Sequence, residues 1–119
     1  MKRSNICVIM IAALALVWGV NGTAHAQEKK KESKLTGEII DVACYMKMGA
    51  KGADHKKCAE ECAKGGSTLG FLEDGTGTVY MLAAGEGKDA NAAVKEFVAE
   101  KVSVTGNVYE RGGAKMVTL

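Results

Sequence analysis

Lys101-Val102-Ser103-Val104-Thr105-Gly106-Asn107-Val108 is the stretch that sets the fold class of this chain. Val102, Val104, Gly106 and Val108 alternate with Ser103, Thr105 and Asn107. Successive side chains of a strand point to opposite faces, so this pattern predicts a half-buried strand. Downstream, Arg111-Gly112-Gly113 turns the chain into a last strand over residues 114–119. Upstream, Asp89 is placed to cap a helix running from residue 90 to about 100. On that helix Ala93, Val94, Phe97 and Val98 form an apolar stripe at helical spacing, which reads as core packing.

Working further back, residues 68–72 and 78–82 are β-like and flank Glu73-Asp74-Gly75-Thr76-Gly77, a glycine-bearing connection of hairpin length. Leu35-Thr36-Gly37-Glu38-Ile39-Ile40-Asp41-Val42-Ala43-Cys44 reads as the first strand, with Gly37 free to mark a bend or bulge. Residues 47–52 suit a loop. Asp54 is then positioned to cap a helix over about 55–64, which Gly65-Gly66 ends. The order is strand, helix, two strands, helix, two strands. It predicts a mainly β domain with short helices: a five-stranded, OB-like Greek-key barrel over 35–119. A helical insert, about 45–66, falls between strands one and two.

The segment from Lys101 to Val108 resembles the fourth strand of exported bacterial OB-fold proteins, and Leu35 to Asp41 resembles their first. Asp41-Val42-Ala43-Cys44-Tyr45, followed by His55-x-x-Cys58-x-x-x-Cys62 and Leu69-Gly70-Phe71-Leu72, resembles a group of small exported bacterial proteins. The resemblance implies an OB-like domain with a cysteine-bearing insert, and it implies no particular activity.

The chain begins with a basic Met1-Lys2-Arg3, an apolar run from Ile6 to Val20, and Ala24-His25-Ala26. That is the pattern of a signal peptide, residues 1–26, cleaved before Gln27. The expected destination is the periplasm or the exterior, with no stable membrane anchor after cleavage. Gln27-Glu28-Lys29-Lys30-Lys31-Glu32-Ser33-Lys34 has no apolar residue and reads as a charged flexible tether, 27–34. Loss of Lys2 and Arg3 leaves 14 basic side chains against 14 acidic ones. A neutral domain with few aromatic residues lacks the basic, stacking surface that nucleic-acid binding requires, so no nucleic-acid partner is expected.

The chemistry lies in one cluster. Cys44, His55, Cys58 and Cys62 hold every cysteine and the only histidine that remain after residue 26. Offsets of three and four residues put His55, Cys58 and Cys62 on one face of a helix. Cys44, at the end of the first strand, can fold back over that face. Three sulfurs and one nitrogen make the ligand set of a closed tetrahedral site, suited to zinc. Met46 and Met48, auxiliary thioethers on one side of an extended segment, would shift the preference toward Cu(I). The expected partner is therefore one Zn2+ or Cu+ ion, either structural or handled for transfer.

A second reading competes with the first. Exported thiols oxidise, and a bridge from Cys44 to Cys58 or Cys62 would staple the insert to the barrel and leave one free thiol. That would make a disulfide-stapled binding module. No CxxC or CxxCH motif is present. No catalytic constellation beyond the cluster suggests an enzyme.

Overall fold

The structure, a computed structural model, describes residues 31–119. The expected signal peptide and the first half of the expected tether lie outside the described residues. Five strands form a closed barrel: β1 (Lys31–Asp41), β2 (Leu69–Glu73), β3 (Val79–Ala83), β4 (Lys101–Arg111) and β5 (Ala114–Thr118). Around the barrel they run β1-β2-β3-β5-β4. Every neighbouring pair is antiparallel except β3 and β5, which are parallel.

β1 makes closure possible because it serves two neighbours in succession. Its first part pairs with β4, from Lys31 opposite Val108 to Glu38 opposite Lys101. Its last part pairs with β2, from Gly37 opposite Glu73 to Asp41 opposite Leu69. Gly37 stands where the two ladders overlap. A Cβ there would come 2.7 Å from Phe71 Cζ and 2.9 Å from the Leu72 carbonyl carbon, so only glycine fits. The strand also starts four residues earlier than the composition suggests. Residues 31–34, read as tether, are in the β4 ladder, because backbone pairing does not depend on the polarity of their side chains.

The alternation along β4 holds: Val104 and Gly106 are buried, Val102 and Val108 half-buried, Ser103 and Thr105 exposed. Phe71, Val117, Ile39, Val98 and Leu69 are at most 2% exposed and fill the barrel with Tyr80, Val94 and Val104. Burial of each such large apolar side chain stabilises the fold by about 1.5–3 kcal/mol.

Among the described residues three α-helices decorate the barrel: α1 (Val42–Met48), α2 (Lys56–Lys64) and α3 (Ala90–Val94). α1 corrects the reading of 35–44 as one strand. β1 stops at Asp41, whose carboxylate accepts the Cys44 N–H and turns the chain into a helix. Gly49, at φ +67, ends it by donating its N–H to the Tyr45 carbonyl at 2.7 Å. Asp54 does not cap α2. It lies in a 3-10 turn, Ala53–His55, and His55 occupies the cap position without a side-chain bond.

Asp89 does cap α3, accepting the Asn91 N–H. That helix is shorter than expected. It tightens into a 3-10 turn, Lys95–Phe97, after which Val98 becomes extended and bridges to Ile39. Ala99 then donates to the Ile39 carbonyl at 2.7 Å. The tighter turn rotates the apolar stripe, so Val94 and Val98 are buried while Ala93 faces solvent and Phe97 is 46% exposed. Among the described residues no helix is long and apolar enough to cross a membrane.

Candidate metal centre

The site forms where β1, α1, α2 and the start of β2 meet, and Asp41 organises it. Its side chain is 2% exposed. One carboxylate oxygen accepts the Cys44 N–H at 2.8 Å, and the other accepts the Ser67 hydroxyl. Ser67 is itself held from both directions. Its N–H donates to the Cys62 carbonyl at 3.0 Å, and its carbonyl accepts from Asn91 Nδ2 at 2.9 Å. Val42 N–H donates to the Thr68 carbonyl at 3.1 Å, tying the start of α1 to the same strand entry. One buried carboxylate thus fixes the start of α1 against the end of α2.

This junction brings Cys44 on α1 to Cys62 on α2. Their sulfurs and an Asp41 oxygen all lie within 4.8 Å of one another, a group that could hold a metal ion. Both thiols are half-buried, and Cys58, one turn before Cys62, is exposed. Cys58 lies outside the tight group, four residues before Cys62 on α2, close enough to help push the Cys62 thiol up. All three are free cysteines. His55 lies outside the tight group, in the 3-10 turn that precedes α2. Its Nε2 is buried and has no hydrogen-bond partner. A buried nitrogen left in that state costs about 1–3 kcal/mol unless some group satisfies it.

Met46 and Met48 do not share a face. They lie on α1, where a two-residue offset turns side chains about 200° apart, rather than on an extended segment. They are 69% and 70% exposed.

The electrostatics follow from the packing of acids against acids. Burial pushes Asp41 up, but bonds from the Ser67 hydroxyl and the Cys44 and Ala43 backbone outweigh it and hold the carboxyl below 3.8. The charged carboxylate then acts on the thiols. Desolvation and the Asp41 charge push Cys44 up, and a hydrogen bond with Cys62 offsets part of the rise. Desolvation, followed by Cys44, Cys58 and Asp41, pushes Cys62 up to about 11. Each additional thiolate is opposed by the charges already present, and a cation is the partner that removes this opposition. Thiolate sulfur selects soft and borderline ions.

No protein-family model, curated protein or solved structure matches the chain. The site residue that sequence reasoning missed is Asp41. Its signal was available, since an aspartate three residues before Cys44 and eight before Gly49 brackets a short capped helix.

Proposed function

We propose that this is an exported, OB-like domain that binds one zinc or copper(I) ion through Cys44, Cys58, Cys62 and His55. The observation that carries the reading is the convergence of Asp41, Cys44 and Cys62 from separate elements to within 4.8 Å. Cys58 adds a third sulfur beside Cys62. His55 is the fourth ligand because its buried Nε2 lacks a partner that a metal would supply. Asp41 is already engaged by Ser67 and the Cys44 backbone, so it orients the site and adds negative charge beside it.

The strand order β1-β2-β3-β5-β4, with one parallel pair, supports the OB-like assignment. Residues 1–26 act as the signal peptide, and the domain works in the periplasm or outside the cell. Exposed Cys58 at the rim suits a site that acquires or passes on its ion by thiolate exchange.

The test is competition between the reduced, metal-free protein and a chromophoric zinc chelator. The expected result is about one zinc per chain, with binding weakened at least ~10-fold by His55→Ala and ~100-fold by Cys44→Ser. Failure of the reduced protein to compete for zinc and copper(I), with three free thiols counted, would overturn the proposal.

A further inference from the structure

The two helices that carry the sulfurs are held very differently. α2 is anchored in the core through Ala59, which is 1% exposed. α1 has no fully buried residue, and its Asp41 cap, its neighbouring backbone bonds and the half-buried Val42, Cys44 and Tyr45 hold it. The connection between them contains Gly49 and Gly52, at φ +67 and +75. A Cβ at either would meet nothing within 4 Å. The Cys44 backbone is held by Asp41, so the two sulfurs can approach by rotation about the Cys44 and Cys62 side-chain bonds without disturbing the barrel.

The distance to be closed is short. The two sulfurs are within 4.8 Å, and a disulfide needs about 2.05 Å, so an approach of less than about 3 Å suffices. Cys58 and Cys62 are less well placed to bridge, because helix neighbours four apart direct their Cβ atoms poorly for an S–S bond.

We infer that Cys44 and Cys62 form a reversible dithiol–disulfide couple that gates the metal site, the gating resting on the metal reading proposed above. The oxidant is a disulfide of low molecular weight. In the loaded site the two metal–sulfur bonds to Cys44 and Cys62 break, in the metal-free site their two S–H bonds, and one S–S bond forms between them. Two electrons pass to the oxidant, whose own S–S bond breaks, and its two sulfurs take two protons, from the dithiol in the metal-free case and from water in the loaded one. Two sulfur ligands are thereby withdrawn together and the ion is released, while Cys58 stays a thiol. Reduction restores the site.

The test equilibrates the full domain in a graded series of glutathione disulfide and glutathione. Bridges are mapped by differential alkylation and mass spectrometry, and zinc affinity is measured on each form. The expected result is an intramolecular Cys44–Cys62 bridge, an alkylatable Cys58, an unchanged barrel circular-dichroism spectrum, and zinc binding weakened more than ~100-fold. Cys58→Ser should form the same bridge and Cys44→Ser should not. Bridges through Cys58, or between chains, in a protein that binds zinc when reduced would overturn the couple alone. A bridged form that binds zinc as tightly as the reduced form would overturn the gating. A reduced protein that binds no zinc would overturn the gating and the metal reading together, and the bridge map would still decide the couple.

Discussion

Replacing Asp41 separates the two tasks assigned to it, holding the junction and charging the site. Asp41→Ala removes the cap of α1, which is worth about 1 kcal/mol. It also leaves the half-buried Ser67 hydroxyl without its charged acceptor, a loss of about 1.5–3 kcal/mol. The total is roughly 3 kcal/mol, which in a domain of this size lowers Tm by roughly 12–24 °C. Asp41→Asn keeps both bonds: its oxygen accepts the Cys44 N–H, and its amide donates to Ser67. That variant should cost less than about 1 kcal/mol at neutral pH. It should nevertheless lose the acid response. The native carboxyl sits below 3.8 when folded, so its contribution is present above the unfolded value and disappears as pH falls through the folded one. The assay is thermal unfolding of the reduced protein in chelator, followed by circular dichroism from neutral to acid pH. Equal stability of the alanine and asparagine variants would refute the view that these two hydrogen bonds organise the site.

Other consequences can be checked in the same way. Gly106→Ala should destabilise the barrel by more than about 3 kcal/mol, because its Cβ would sit 3.0 Å from the Thr118 carbonyl carbon and closer still to its oxygen. Gly85→Ala, with nothing within 4 Å, should be neutral or slightly stabilising; chemical denaturation compares the two. The metal-free protein should lose stability as pH rises from about 9 toward 11. The folded Cys44 and Cys62 thiols hold protons that unfolded thiols release, and Tyr80, raised by burial and Glu73, acts in the same direction. Cys62→Ser should flatten that decline in a pH series of unfolding curves. Replacing Met46 and Met48 together by Ala should leave zinc affinity within about twofold in the chelator competition, since both side chains are about 70% exposed on diverging faces of α1.

The strands were legible wherever one face is buried and the other wet. Val102, Val104, Gly106 and Val108 announce β4 because each inward position is apolar or absent. The site was legible in its cysteines but not in its geometry. Val42-Ala43-Cys44-Tyr45 continues the apolar run of β1, so composition alone carried the strand past the residue that ends it. What ends β1 is the Asp41 carboxylate accepting the Cys44 N–H, a capping event that hydrophobic patterning does not encode. Phe97 was misplaced for a related reason. Periodicity assumes that an α-helix continues, and the 3-10 turn that precedes the Val98–Ile39 bridge breaks the phase. Residues 31–34 were hidden because their strand is held by backbone pairing with β4 and carries no apolar signal.

The central claim is that the Cys44, Cys58, Cys62 and His55 cluster holds one soft ion. Elemental analysis of protein purified without chelator, joined to a thiol count under denaturing conditions after metal removal, tests it most directly. The account predicts about one equivalent of zinc or copper per chain and three free thiols. No bound metal, with a single free thiol and no metal uptake once the bridge is reduced, would contradict it and would identify a domain stapled by a permanent disulfide.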